Sequence, residues 1–348
     1  MSYGRRIAKS NFFIKLKSWE YWPFGIIQAP LFIYWLWLSI RARSLLYFTA
    51  SNPGILTGGM FGESKYGVLE KIPAAYKPTT LFVPYPTTVQ QVIQLLSEKG
   101  LSFPLIFKPD IGERGWMVRK INTPNDVPSY INQIKTDFIV QEYVDLPLEF
   151  SVYYARHPEE QTGRVTSVTM KEMLKVRGDG KRTLQALIFD KDRAKLQWNT
   201  LKTTYAHRLN EKLKEGEEIE LVSIGNHCLG TTFLNKNDLI TPKLNASFDQ
   251  LSKQIDGFYF GRYDLRAASF EDLENGKVKI VELNGCGAEP SHIYQPGASI
   301  IGAVKDLFIH WRTIFVISMA NHKRGTPFLS LKEGIAIYKR FKAITTSS

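Results

Sequence analysis

Two apolar stretches late in the chain, FYFGRYDLR (258–266) and VELNG (281–285), constrain the fold most, because both carry polar side chains at alternate positions. Residues i and i+2 of a strand point to one face, so Arg262 and Asp264 share a face, as do Glu282 and Asn284. Glu274-Asn275-Gly276 between the stretches predicts a hairpin turn that sets the two faces side by side. Two carboxylates and an amide oxygen are hard ligands, suited to Mg²⁺ and unsuited to zinc. Arg262 could neutralise a transferring phosphoryl group. A surface ion network does not explain an asparagine flanked by ELNG in an apolar strand.

Elsewhere the pattern mixes strands and helices without regular βαβ alternation, which predicts α+β lobes with antiparallel sheets. Strands are expected at 81–83, 103–109, 138–143, 149–154, 164–176, 258–265 and 277–284. Helices are expected at 87–100, 126–135, within 182–213, and at 248–256 and 298–319. The 348 residues divide into an aromatic, basic segment with a loop (1–75), a first lobe (76–145), a second lobe with the metal site (146–320) and a basic helix (321–348). A hydrophobic fraction of 44%, a charged fraction of 22% and a mean hydropathy of −0.18 exclude wholesale disorder and a many-span membrane protein. Two cysteines, Cys228 and Cys286, make neither a disulfide framework nor a Cys-based zinc site, and fit a reducing cytoplasm.

The net charge of +12 sits at the ends. Residues 1–50 hold seven cations against Glu20 alone, and residues 321–348 hold six against Glu333 alone, so the body is nearly neutral. A nucleic-acid-binding body would spread its cations along a groove, so no nucleic-acid partner is expected. Between Glu20 and Arg41 lie twenty uncharged residues rich in Trp and Tyr. Pro23, Gly25, Gln28 and Pro30 count against a bilayer span, and a buried helix covering the lobes is the first expectation, interfacial attachment the second. Arg41, Arg43, Lys339, Arg340 and Lys342 could together meet an anionic membrane, at its inner face in a cytoplasmic protein.

Three more groups bear on phosphate chemistry. Lys108 ends a strand and precedes Pro109-Asp110-Ile111-Gly112-Glu113-Arg114-Gly115, where glycines let backbone N–H groups approach an anion. Gln141-Glu142-Tyr143-Val144 leaves a strand through a short linker that can face an adenine edge, and Glu149 beyond it can accept ribose hydroxyls. Lys171 lies on the next strand. The turn-rich SNPGILTGGMFGESK (51–65) reads as a loop, with anion holding as the alternative.

In this order the groups resemble the ATP-grasp superfamily, in particular D-alanine–D-alanine ligase and cyanophycin synthetase, over residues 100–300. The resemblance implies two α+β lobes clasping ATP, with Mg²⁺ (or Mn²⁺) as metal. It implies that Lys108 and Lys171 hold phosphates beneath a flap containing Gly112, Arg114 and Gly115. Glu142, Val144 and Asp145 fall at the adenine hinge and Glu149 at the ribose. Asp264, Glu282 and Asn284 match the metal ligands, and Arg262 with Lys171 the catalytic pair. Trp116 departs from the small residue usual in the flap, and NGCGAEPSHIYQP matches no substrate loop of D-alanine–D-alanine ligase. The implied activity is a carboxylate–amine ligase acting through an acyl phosphate on small carboxylates and amines, such as amino acids or peptides. A kinase acting on a hydroxyl and a membrane-tethered nucleotide-binding module are the alternatives.

Overall fold

The computed structural model describes residues 10–22, 24–113, 115–222, 225 and 227–346. Two antiparallel sheets organise it. The first contains β1 (Thr80–Val83), β2 (Leu105–Pro109), β3 (Arg119–Ile121) and β4 (Phe138–Glu142), in the order β1-β4-β2-β3. The second contains β5 (Leu148–Ala155), β6 (Arg164–Glu172), β9 (Thr232–Asn235), β10 (Phe260–Ala267) and β11 (Val278–Asn284), in the order β11-β10-β5-β6-β9. A two-stranded ribbon of β7 (Lys175–Arg177) and β8 (Glu218–Glu220) stands apart. The architecture is α+β.

Helices follow in chain order: α1 (Asn11–Lys17), α2 (Phe24–Ala42), α3 (Lys65–Glu70), α4 (Val89–Glu98), α5 (Val127–Ile131), α6 (Leu184–Asp190), α7 (Asp192–Leu196), α8 (Trp198–Thr204), α9 (Pro242–Ser252), α10 (Phe270–Glu274), α11 (Ile300–Lys323) and α12 (Leu331–Thr346). Thr88 and Gln91 form a capping box at the start of α4, and Gly100 follows it with φ +65°, a left-handed turn natural to glycine. The apolar face of α4 supplies Val92 and Leu96 to a core shared with Leu105, Phe107 and Phe138 of the first sheet. A larger core lies under the second sheet, where α9 lays Leu244, Phe248 and Leu251 against Val152, Val168 and Leu265.

Three expected elements differ. The strand expected over 164–176 ends at Glu172, because Leu174 and Val176 turn away into a separate core with Leu184, Leu187, Ile188 and Ile219. The helix expected from 248 begins at Pro242, with Thr241 accepting a hydrogen bond from the N–H of Leu244, a cap followed by proline at N1. The turn expected at 274–276 is present, with Gly276 at φ +68°, but the link from β10 to it also contains α10, capped by Ser269.

The aromatic run forms α2, which packs along α11. Ile27, Leu31, Leu38 and Ala42 are buried, and the ring of Tyr34 lies 4.8 Å from that of Phe308. Its outer face is exposed. No described helix is long and apolar enough to cross a membrane. The glycine loop that follows is locked to the second sheet. Buried Asn52 accepts from the N–H groups of Tyr259 and Phe260 and donates to the carbonyls of Phe260 and Gly58. The N–H groups of Cys286 and Gly287 donate to the carbonyls of Gly58 and Gly59 at 3.0 and 2.9 Å. A Cβ on Gly59 would lie 2.6 Å from Gly285 Cα, and one on Gly285 2.2 Å from the Gly58 oxygen. The glycines here permit backbone to lie on backbone.

Candidate active site

The register of the second sheet brings together six of the expected residues: Glu149, Lys171, Arg262, Asp264, Glu282 and Asn284. Asp264 on β10 stands opposite Glu282 on β11 and opposite Ser151 on β5, while Arg262 faces Asn284. Further along, Arg266 faces Glu149, which faces Lys171 on β6. Directly opposed side chains in an antiparallel pair share a face, so these residues form one row across four strands. Glu149 is on the central strand of the sheet, not at an edge.

The row is connected by charge. Lys171 Nζ lies 3.1 Å from Glu149 Oε1 and 3.3 Å from Asp264 Oδ1. Arg262 Nη2 lies 3.1 Å from Asp264 Oδ2, and Arg266 Nη2 3.0 Å from Glu149 Oε2. Asn284 Nδ2 donates to Asp264 Oδ2 at 3.1 Å, and the Ser151 hydroxyl donates to Oδ1. Burial works against the charge on Asp264, but Arg262 and Lys171 outweigh it and hold the carboxyl well below the usual range. Burial likewise opposes the charge on Lys171, and Asp264 and Glu149 reverse the sign, leaving it above the ordinary lysine value. Each ion pays for desolvation only because its neighbours are fixed around it.

Lys108 reaches the same place from the first sheet. It is 6% exposed, and its ammonium donates to Gln141 Oε1 at 3.1 Å and across to the Val281 carbonyl on β11 at 2.9 Å. Burial, with Lys65 and Lys171 nearby, pushes it down to about 8 against the pull of Glu282 and Asp264.

Beside the row a cavity of about 870 Å³ opens, lined by Tyr143, Asp145, Glu149, Met170, Lys171 and Arg266 among others. Its size suits a nucleotide-sized ligand. Of the expected hinge, Asp145 lines this cavity. The Val144 carbonyl is instead held by Arg266 Nη1 at 3.1 Å, and Glu142 is exposed at the end of β4, accepting from the Thr79 N–H. The expected flap runs between β2 and β3. Gly115 takes φ +74°, Gly112 offers its carbonyl to Lys65 Nζ, and Trp116 packs over Gly112. Arg114 lies outside the described residues.

Two residues of the 51–65 loop join the site although sequence reading left them there as loop. Lys65 Nζ lies 3.6 Å from Glu282 Oε1. It is set by Asp110, whose Oδ1 accepts from the Ser64 hydroxyl and the Tyr66 N–H. Glu63 sits nearby with its carboxyl raised, by burial first and then by Glu282 and Glu113, and its buried Oε2 has no hydrogen-bond partner among the described residues. The available signal was the charged triplet Glu63-Ser64-Lys65 closing a glycine-rich turn.

Asp264, Glu282 and Asn284 form a hard-oxygen set that fits Mg²⁺ by chemistry. Among the described residues no cluster of three His, Cys, Asp or Glu side chains is arranged as a metal site, and the third donor here is an amide. Burial raises Glu282, but Lys65 and Lys108 bring it below the ordinary value. On the other side, Arg262 Nη1 donates to the Glu289 carbonyl and Ser291 Oγ, which ties the row to the 284–296 loop.

Neither a family model nor a curated sequence matches the chain. Among solved structures it is similar to a D-Ala:D-Ser ligase from Enterococcus faecalis, with 11% identity and a TM-score of 0.42 over 80% of this chain and 63% of that one. It is similar to a D-alanine–D-alanine ligase from Coxiella burnetii, with 10% identity and a TM-score of 0.41 over 82% and 62%. A bifunctional glutathione synthetase from Pasteurella multocida shares 13% identity at a TM-score of 0.36 over 70% and 36%. The chain thus spans between about a third and two thirds of the length of these three proteins. All three scores lie below 0.5, so the functional reading stands on the chain's own residues.

Proposed function

We propose that the chain is an ATP-dependent ligase that joins a carboxylate to an amine through an acyl phosphate, releasing ADP and phosphate. The observation that carries it is the convergence of Lys171 and Arg262 on Asp264, with Lys108 reaching from the first sheet to the Val281 carbonyl next to Glu282, beside a cavity lined by Glu149 and Asp145. Two sheets contribute cations to one buried point, which suits a polyphosphate held between lobes.

In this reading Glu149 accepts from the ribose and Asp145 borders the base. Lys108 and Lys171 hold phosphate oxygens, Lys171 exchanging one of its carboxylate partners for them. Arg262, fixed by Asp264, Glu289 and Ser291, faces the transferring group and stabilises charge that builds during transfer. Asp264, Glu282 and Asn284 would hold Mg²⁺, which when bound supplies neutralisation of phosphate charge. Lys65, 3.6 Å from Glu282 Oε1, is placed to meet an anionic substrate group. No side-chain nucleophile is required, because positioning and charge stabilisation do the work.

The test is a screen of purified protein with ATP, Mg²⁺, pooled amino acids and small carboxylates, reading ADP release and new amide mass. ADP release that requires both a carboxylate and an amine supports the ligase. Transfer of the γ-phosphate to a hydroxyl compound, or nucleotide binding without turnover on any pool, overturns it.

A further inference from the structure

Helix α2 is apolar on every side, and only one side is covered. Its inner stripe packs under α11, while Phe32 (58% exposed), Ile33 (70%), Trp37 (48%) and Ile40 (76%) face outward with Leu36. A helix hydrophobic all round is normally buried or in contact with lipid, and a continuous exposed apolar patch marks an interaction surface. From Phe32 to Ile40 the stripe runs about 12 Å along the helix axis. No Asp or Glu interrupts it: the described part of α2 contains none.

Cations frame the stripe. Arg41 lies over the ring of Trp37 at 4.9 Å and over Phe315 of α11 at 5.5 Å, and Arg43, at φ +55°, is exposed just past the helix end. At the other end, α1 exposes Phe12 and Leu16 beside Lys15 and Lys17. On α11, the exposed positions Ile301, Lys305, Ile309, Arg312 and Val316 recur at helical spacing, mixing apolar and basic side chains. Of the nearby acids, Glu20 is buried against Arg193, Glu289 accepts from Gln28 of α2 and from the Tyr294 hydroxyl, and Asp306, 40% exposed on its side chain, pairs with His292.

We infer that α2 is the docking surface for an anionic lipid bilayer, lying in the plane of the interface with Phe32, Ile33, Trp37 and Ile40 immersed and the cations at headgroup level. The charge argues for lipid, since an apolar stripe with basic ends and no acid complements an anionic interface along its whole length. Trp37 with Arg41 stacked on it suits the headgroup boundary, where an amphipathic ring and a snorkelling cation sit together. This surface differs from one built on the two termini. The C-terminal helix α12 packs Gly334 against Leu46 and Phe341 near Gly62, and its exposed Leu331, Ile335 and Tyr338 form no part of the α2 stripe.

The test is flotation of the full chain with vesicles of phosphatidylcholine alone and of phosphatidylcholine mixed with phosphatidylglycerol, at low and high salt. We expect at least about tenfold more protein on the anionic vesicles at low salt, falling as salt rises. The triple variant Ile33→Gln, Trp37→Gln, Ile40→Gln should lose this binding with at most a small fall in melting temperature, since Ile33 and Ile40 are exposed and Trp37, stacked on Tyr34, is half-exposed. The variant Arg43→Gln, Lys305→Gln, Arg312→Gln should lose the anionic preference. No binding of the parent to anionic vesicles, or binding unchanged in the apolar triple variant, overturns the inference. A parent dimer in sedimentation equilibrium that dissociates in the triple variant, without vesicle binding, overturns it in favour of a second copy.

Discussion

The second sheet and the 175–220 region both contain Arg–carboxylate and Lys–carboxylate pairs, and the same chemistry does opposite things in them. Arg182 with Asp179 and Asp190, and Arg208 with Glu211 and Glu217, stand in water at the surface. Lys171 with Glu149 and Asp264 is sealed in, at 7% against 11% and 6% side-chain exposure. Exposed pairs are screened and contribute little, whereas buried ones hold each other against a large desolvation cost. What separates structure from chemistry is therefore position in the sheet.

The sharpest way to break this contrast is Asp264→Asn. It leaves Lys171 and Arg262 short of a partner, so stability should fall by about 3 kcal/mol or more, and ATP turnover should drop at least about 100-fold. Thermal unfolding and ADP release measure the two. Retained turnover would remove Asp264 from the chemistry. Gly285→Ala comes next, because its Cβ would lie 2.2 Å from the Gly58 oxygen, and a loss of about 2–3 kcal/mol is expected in denaturant unfolding.

Lys108 gives a pH test. Burial lowers it to about 8, so it is charged below that pH and loses its proton as pH rises through it. ATP affinity should therefore fall above pH 8, by up to about tenfold per unit, and titration calorimetry should show proton uptake on binding near that pH. Lys108→Met should bind more weakly with no such alkaline limb. The stability consequence has the opposite sign: the folded chain bears the cost of a charged Lys108 below pH 8, and that cost lessens as pH rises toward the unfolded lysine value. The smallest effect is expected at the surface, where Asp179→Asn should change neither turnover nor melting temperature, as differential scanning fluorimetry would show.

The strands carrying Lys108, Glu149, Lys171 and Asp264 were legible because alternation and burial pattern are local properties. Which neighbour each would meet was only partly so. The pairing of Asp264 with Glu282 follows from adjacent strands in sequence, but Lys65 reaches Glu282 from a segment more than two hundred residues away. Its position depends on Asp110 fixing Ser64 and Tyr66, a tertiary contact with no sequence periodicity. The early start of α9 was readable from Thr241-Pro242 alone, whereas the break of β6 at Glu172 follows from a separate core that only folding assembles.

The backbone-on-backbone seam between Gly58–Gly59 and Gly285–Gly287 makes the front of the chain and the end of β11 one inheritable unit. A homologous segment grafted onto residues 51–62 will fit only if 284–288 travels with it, since no side-chain adjustment can relieve a clash between two main chains. Recombination points for chimeras therefore belong on the far side of that pair, and libraries that randomise one loop must covary the other.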